Sequence, residues 1–336
     1  MTPETGPQIG RADAFQRRHS WLGLPIAVVY KYFDDQATYL AVIITYYGLF
    51  AVFPLLLLAS SILGFVLQGN PDLSQEVLDS ALSQFPILGD QFRRPEGLTG
   101  STTTIVIGSL AALYGAIGLG SAIQNALNIA WSVPRNSRPN PFFLRLRSLV
   151  LVVVAGMAIL GLTTLSVVVS NTTAIEFLTA SPLRWSVRAL SIVVLALLLG
   201  LLLRLGPADG PRTRCALPGA LLIALLWHLL QQLGTEYVTR VLANASTLNQ
   251  TFGVVLGLMA LLFLAAIMGM LGVELNVVLE RRLWPRALLT PFTDAVVLTD
   301  ADRRAYIGYA RAQRHKGFET VTVDFGSRDD PDDPEP

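Results

Sequence analysis

The 336-residue chain has few of the residues on which soluble enzymes and secreted domains depend. Its single cysteine, Cys215, excludes an intrachain disulfide and therefore a disulfide-stapled secreted fold. Charged residues make up only 15% of the chain, against roughly 25% in soluble domains. The N-terminal stretch MTPETGPQIGRADAF has no apolar core, so we predict no cleavable signal peptide.

Catalytic motifs are also missing from the sequence. No P-loop, G-x-S-x-G or C-x-x-C motif occurs in it. The three histidines, His19, His228 and His315, are far apart and provide no cluster of metal ligands for RNA hydrolysis. We therefore expect no enzymatic activity, no metal and no cofactor.

Long uncharged runs are the main positive feature of the chain. The run from Tyr39 to Leu67 carries no charge and exceeds the roughly 20 residues that a helix needs to cross a bilayer. Similar runs recur along the chain. They predict six transmembrane helices, at about 38–67, 102–131, 148–170, 185–205, 215–238 and 252–279.

Basic residues predict the orientation of these spans. Connections rich in arginine alternate with poorer ones, and the positive-inside rule then places both termini in the cytoplasm. Lys31, one of only two lysines, counts here as part of the first inner flank. The predicted fold is an all-α polytopic membrane protein. It has a cytoplasmic N-terminal segment (1–37), a membrane domain (38–284) and a cytoplasmic tail (285–336).

Two features of the first span predict its shape and packing. Pro54 lies near its middle and removes a backbone donor, so we predict a kinked first helix. Tyr46 and Tyr47 lie on the cytoplasmic side of Pro54, and we expect them to face other helices. The second span contains small residues spaced by four, which favour close helix packing, and Gly115 and Gly118, which loosen the helix.

Polar side chains inside spans are costly, so they face the protein interior or a water-filled cavity. Glu274 admits two interpretations: a proton- or head-group-coupled site, or a structural lock between helix ends. In either case it could reach cytoplasmic water or an arginine such as Arg135 or Arg138. His228 is more typical of a hydrogen-bonded core histidine than of a metal ligand. The candidate lining or coupling residues are Tyr46, Tyr47, Pro54, Gln124, Asn125, Asn128, His228, Gln231, Glu274 and Asn276.

The flanks of the spans predict contacts with lipid. Arginines at the cytoplasmic side are candidates for binding anionic head groups: Arg135, Arg138, Arg281 and Arg282. Residues 71–86 have the spacing of an amphipathic helix, which is either an outer lid or interface helix or a structural cap. A basic helix over Asp300–Lys316 either binds head groups or is a solvated flank, and the acidic, proline-rich end is expected to be disordered.

Several motifs, taken in order, resemble the YihY/BrkB family of bacterial inner-membrane proteins, some of them formerly labelled ribonuclease BN. The resemblance covers about residues 30–283. The first span has Tyr46-Tyr47 followed by Phe53-Pro54-Leu55, and the second ends in a sequence like ALN-x-x-W at 126–131. The remaining matches are an arginine-rich turn from Arg135 to Pro139, Leu217-Pro218-Gly219-Ala220, Phe252-Gly253 where Tyr-Gly is usual, and Leu271-Gly272-Val273-Glu274-Leu275-Asn276, similar to L-G-A-E-L-N.

The resemblance implies a six-helix protein of the cell envelope, linked with envelope integrity and, in one branch, with resistance to serum killing. We expect it to transport or flip a lipid or another envelope component in the bacterial inner membrane. The alternatives are a non-transport scaffold for envelope integrity and a membrane enzyme, although the nuclease label has no support in the residues. Membrane lipids, including anionic head groups, are the expected partners. We expect no nucleic acid and leave a homo-oligomer open.

Overall fold

The computed structural model describes residues 10–66, 102–138, 181–207, 213–237, 247–288 and 296–325, together with a few single positions between them. Within these ranges every regular element is helical, in agreement with the predicted all-α class. In chain order the α-helices are α1 (Arg11–Arg18), α2 (Ser20–Asp34), α3 (Ala37–Val66), α4 (Thr102–Ala130), α5 (Ser181–Leu205), α6 (Thr213–Tyr237), α7 (Thr247–Arg281) and α8 (Asp300–Ala312).

Five of the six predicted spans coincide with helices α3 to α7, and their bounds differ from the predicted ones by at most five residues. The third predicted span, 148–170, lies outside the described residues except for Val150. The outer amphipathic helix at 71–86 and the end of the tail also lie outside them. The tail helix is present and runs from Asp300 to Ala312.

Helix α3 is continuous from Ala37 to Val66, so Pro54 lies within it, and the kink there stays a prediction. Tyr46 is 52% exposed, and among the described residues its ring contacts Tyr47 and Phe50 of the same helix, so the expectation that both tyrosines face other helices is not met for Tyr46 there. Consecutive helical residues point about 100° apart, so the pair divides between two faces. Tyr47 points towards α4, where a Cβ at Gly118 would lie 2.1 Å from its ring. Gly118 therefore provides space for the ring of Tyr47. The sequence predicts a different role for this glycine, which is to loosen the helix.

Among the residues that the structure describes, two helices are long and apolar enough to cross a membrane by length and composition, over Ala216–Gly234 in α6 and Val255–Arg281 in α7. Shorter apolar stretches occur at Ala37–Val52 and Ile192–Leu205. The outward face of α6 carries a leucine at every fourth position, each at least 39% exposed: Leu217, Leu221, Leu225, Leu229 and Leu233. A continuous apolar face of this kind is unusual on a soluble monomer and is typical of a surface that contacts lipid.

The largest apolar core lies at one end of the bundle, where parts of five helices meet. It includes Val28 of α2, Leu40 of α3, Leu127 of α4, Val277 of α7 and Ala305 of α8. Helix α7 is central to the described bundle, because it packs against α2, α3, α4 and α6. At 1.5 Å per residue α7 is about 52 Å long, which exceeds the roughly 30 Å of bilayer hydrocarbon. One end of it therefore extends beyond the hydrocarbon and is available to hold polar groups.

Helices α4 and α7 end in the same way at this end of the bundle. Each is followed by a residue in the left-handed region, Ser132 with φ 46° and Arg282 with φ 52°. In each case the next amide reaches back five residues, from Val133 to Asn128 and from Leu283 to Val278. This is the Schellman arrangement, which usually places glycine at the left-handed position.

Candidate functional site

The turn between α2 and α3 places two consecutive carboxylates at the core end of the bundle. Helix α2 ends at Asp34, and a two-residue turn, Asp35–Gln36, leads into α3. Gln36 has φ 52°, and this left-handed residue reverses the chain sharply. As a result Asp34 and Asp35 point to different partners, and each belongs to a separate charged cluster.

The first cluster, here the lysine cluster, consists of Lys31, Asp35 and Glu274. All three side chains are buried, with Lys31 1% and Glu274 0% exposed. Lys31 is one helical turn before Asp35, and its ammonium donates to that carboxylate. The same ammonium donates to the carbonyl oxygen of Ala130, at the end of α4, at 3.0 Å and lies 3.5 Å from Glu274 Oε2. The lysine thus joins α2, α4 and α7 at a single buried point.

This arrangement corrects two expectations about charged residues. Lys31 is a buried ion-pair partner and not part of a solvated basic flank, because its position one turn before Asp35 lets both charges be buried together. The cation nearest to Glu274 is Lys31, and not Arg135 or Arg138. Arg138 instead donates to the Val133 carbonyl.

The second cluster, here the arginine cluster, consists of Asp34, Arg286 and Asp302. Arg286 is 0% exposed and lies in the chain that follows α7. Its guanidinium donates to Asp34 at 2.9 Å and to Asp302 of α8 at 2.6 Å. Burial lowers the pKa of Arg286, but the charge of Asp34 and the hydrogen bonds to both carboxylates outweigh it, and the net shift is upward. The guanidinium therefore stays charged and holds α2 to α8.

Asp302 also organises the start of α8. Its carboxylate accepts from the backbone and hydroxyl of Thr299, while the Thr299 hydroxyl accepts from the Asp302 amide at 3.2 Å, which forms a capping box. The Ala287 amide donates to the same carboxylate at 3.0 Å. Helix α1 joins this region as well, because Asp13 accepts from the Leu288 amide at 3.2 Å. The segments before and after the membrane helices therefore form one connected structure.

Tyr309 of α8 lies between the two clusters. Its hydroxyl donates to Asp34 at 3.2 Å, and its ring centroid lies 5.1 Å from the Lys31 ammonium. Burial, followed by the negative charges of Asp35 and Asp34, raises the pKa of Tyr309. The phenol is therefore protonated at neutral pH and can act as the donor. A single side chain contacts the anion of one cluster and the cation of the other.

Asn276 forms a separate polar contact between α6 and α7, here the amide clamp. Pro218 lies inside α6 and disturbs the hydrogen bonding of the helix backbone around it. The Asn276 side chain accepts from the Gly219 amide at 2.7 Å and donates to the Ala216 carbonyl at 3.1 Å. The helices touch beside this clamp, because a Cβ at Gly219 would lie 1.9 Å from the Gly272 carbonyl oxygen.

The other candidate lining residues are divided among several surroundings. Gln124 and Asn128, one turn apart on α4, are both buried. Asn125 is exposed and accepts from Arg138 at 3.3 Å. On α6, His228 and Gln231 are half-buried. The structure brings Glu274 and Asn276 together on the last turns of α7 but places Tyr46 on the outer surface.

The four candidate head-group arginines differ in their contacts. Arg281 donates to the Trp131 carbonyl oxygen and lies over its indole ring, so it closes the end of α4 against α7. Burial, and then the charge of Arg135, lowers the pKa of Arg138. Arg281 is exposed too but is held by Trp131, so Arg135 and Arg282 are the exposed arginines of the set that remain. These two are therefore the arginines of the set that are best placed for a surface contact.

The outward apolar faces of long helices, with charge buried at one end, define a helical protein of the membrane. The chain belongs to the family described as Virulence factor BrkB, whose model matches residues 28–291. This confirms the resemblance to the YihY/BrkB family. No curated protein and no solved structure matches the chain. The match includes Lys31, Asp35 and Glu274 and ends before Asp302 and Tyr309, so the lysine cluster lies within the family region and the α8 contacts lie outside it.

Proposed function

We propose that the chain crosses the bacterial inner membrane six times, with both termini on the cytoplasmic side. The Lys31 contacts bring the start of α3 to the ends of α4 and α7. The end of α5 lies there too, since a Cβ at Gly206 would be 2.3 Å from Leu127. The start of α6 is held to the end of α7 by the amide clamp. These five helix ends lie on one side, which supports helices that cross the membrane in alternating directions. Because α4 and α5 both end on this side, the chain between them must cross once, and the sequence predicts a span there at 148–170.

We further propose that the protein transports or flips a lipid or another envelope component, without enzymatic activity and with membrane lipids as its partners. The observation that carries this proposal is the lysine cluster. Ionisable groups within or at the ends of membrane helices are costly and usually mark a path for a substrate or an ion. Glu274 is seven residues before the end of α7, about 10 Å along the helix, so the cluster lies at the cytoplasmic boundary of the membrane.

The exposed arginines favour an anionic head group as the part of the lipid that is recognised. Arg135 and Arg282 lie at the ends of α4 and α7, the same end as the lysine cluster. A cationic side chain at the inner leaflet is attracted to anionic head groups. Lipid could therefore be captured at this surface before it moves.

The test is reconstitution of the purified protein in liposomes that contain labelled anionic and zwitterionic phospholipid. We expect labelled lipid to cross faster than in empty liposomes and Glu274→Gln to reduce the rate by about tenfold or more, because it removes a buried charge from the path. Glu319→Gln makes the same chemical change at an exposed position and is the matched control. Transport at the level of empty liposomes would contradict the proposal and favour the scaffold alternative.

A further inference from the structure

The lysine cluster contains one more negative group than positive group. Its three side chains are almost closed to water, at 1% exposure for Lys31, 7% for Asp35 and 0% for Glu274. Both carboxyl groups depend on the same ammonium. With both ionised, the cluster would hold an uncompensated negative charge. Burial of such a charge is so costly that a carboxyl group in this position takes up a proton instead.

Within the described part of the chain, Lys31 is the cation that pairs with these two carboxyl groups. Arg286 is committed to Asp34 and Asp302 in the arginine cluster, which itself contains two carboxylates and one guanidinium. The guanidinium of Arg281, at the end of α7, donates to the Trp131 carbonyl oxygen.

The other described groups beside the cluster supply no positive charge. Helix α4 presents the Ala130 carbonyl oxygen to Lys31, and α8 presents the Tyr309 phenol. The neighbouring carboxylate of Asp34 adds a further negative charge near Asp35, so the excess negative charge is not relieved.

The geometry of the carboxyl groups suits a shared proton. Asp35 and Glu274 are neighbours, because both carboxyl groups lie against the same Lys31 ammonium. Neither Glu274 oxygen receives a hydrogen bond from another described residue. The Lys31 ammonium donates to Asp35 and Ala130, and its 3.5 Å contact with Glu274 Oε2 is an ion pair without a hydrogen bond.

A metal ion fits the cluster poorly. The ammonium already stands where a bound cation would be. Among the described residues there is also no group of three His, Cys, Asp or Glu side chains that could hold a metal.

We propose that Asp35 and Glu274 hold one proton between them beside the fixed cation of Lys31, and that this pair is a proton-binding site exchanging with the cytoplasm. The proton is the ligand, and its release leaves a net negative charge between α2, α4 and α7. The site belongs to the chain itself and does not depend on the proposed transport. Two carboxyl groups that share a site release their protons in two separate steps, which belong to the pair and not to either residue.

The direction of the pH dependence follows from this arrangement. Asp35 lies in the turn outside the spans, where burial raises its pKa by more than the charge of Lys31 lowers it. Isolated carboxyl groups lose their protons near pH 4, so between about pH 4 and the upper titration of the pair only the folded state holds the proton. This contribution to stability is complete below about pH 4 and is lost as the pH rises through the titration of the folded pair.

The test is infrared spectroscopy of the purified full-length chain between pH 5 and pH 9 in ordinary and heavy water. We expect the wild type to show a carbonyl stretching band of a protonated carboxyl group at neutral pH, shifted by deuterium. Glu274→Gln and Asp35→Asn should each remove it, and Glu319→Gln should not. Absence of the band in the wild type overturns the proposal without any variant. A wild-type band that persists in both folded variants overturns it as well.

Lys31 provides an independent measurement on the same site. Lys31→Met removes the cation that keeps one carboxyl group ionised, so both should take up a proton and the band should grow about twofold. Lys31→Arg keeps the charge and should leave the intensity near that of the wild type. An unchanged band in folded Lys31→Met would show that the ammonium does not set the charge of the pair, and the proposal would fail.

Discussion

Individual residues at the core end of the bundle show where a sequence pattern misassigns a side chain. A count of basic residues in each connection assigns Lys31 to a basic flank. In the structure it is 1% exposed and paired with Asp35 and Glu274. A count of charges contains no information on burial. The signal that could have revealed the pair is its spacing, because Lys31 and Asp35 are four residues apart at the end of the largely apolar helix α2 and therefore share one of its faces.

At the same scale, the contact between α6 and α7 makes a prediction about Gly219. Gly219→Ala would place a Cβ 1.9 Å from the Gly272 carbonyl oxygen, so the two helices must move apart. We expect a loss of about 2–3 kcal/mol in the free energy of unfolding, as for an overpacked core, seen as a lower Tm in detergent.

Gly269→Ala is the matched control for this change, because nothing lies within 4 Å of its Cβ. It should be neutral or stabilising by up to about 1 kcal/mol, since alanine favours a helix. Equal Tm values for the two variants would mean that the helices are farther apart than described.

At the scale of elements, the helices were more predictable than their ends. Apolar runs long enough to span a bilayer placed α3 to α7 to within five residues, since a membrane helix must satisfy its backbone internally. The left-handed caps that follow α4 and α7 could not be predicted, because Ser132 and Arg282 occupy the position at which glycine normally signals such a cap. The family motifs located Gly219 and Asn276 but said nothing about the contact between them.

The cap of α7 makes a prediction about Arg282. Arg282→Gly and Arg282→Ala both remove the guanidinium, but only glycine adopts φ 52° without steric cost. We expect the glycine variant to be more stable than the alanine variant by about 1 kcal/mol, measured as a difference in Tm. If alanine proves equal or better, the left-handed cap at this position is not present in solution.

The tail helix makes a second prediction at this scale. Arg286→Gln would leave the buried Asp302 and the half-buried Asp34 without their cation. Loss of one partner from a buried ion pair typically costs roughly 3 kcal/mol or more, so amide hydrogen exchange in α8 should become about a hundredfold faster.

Mass spectrometry of the intact chain measures this exchange. Arg311→Gln changes an exposed arginine on the same helix and should leave the exchange rate close to that of the wild type. Unchanged protection of α8 in Arg286→Gln would show that α8 does not depend on the arginine cluster.

For the whole molecule, the sequence predicts separate terminal regions, whereas the structure joins them. The sequence predicts that the N-terminal segment and the tail are flanks of a membrane domain. In the structure Asp34 binds Arg286, 252 residues away, and Asp13 binds the Leu288 amide. Such pairs cannot be derived from periodicity or spacing, which report only on neighbours along one helix. The distribution of basic residues predicts on which side of the membrane each connection lies. The partner of each charged side chain depends on tertiary packing.

The shared location of the termini makes a prediction about labelling. In a Cys215→Ser background, single cysteines at Gly10 and Gly317 have no neighbour within 4 Å of their Cβ atoms and should be accessible. A membrane-impermeant maleimide should label both only after the cells are permeabilised, since both termini are proposed to be cytoplasmic. Labelling of either position in intact cells would contradict the proposed topology.

The ion pair between Asp34 and Arg286 also has a consequence for synthesis, because its two residues are made at different times. A ribosome adds about 5–20 residues per second, so the 252 residues between these partners take roughly 10 to 50 s to make. During that interval the partner Arg286 of Asp34 has not been made, and Glu274 is made almost as long after Lys31. The nascent chain must therefore keep the first helices in a hydrated or chaperoned setting until its last quarter emerges. A chain truncated before Arg286 would contain helices α1 to α7 but would leave Asp34 without this cation.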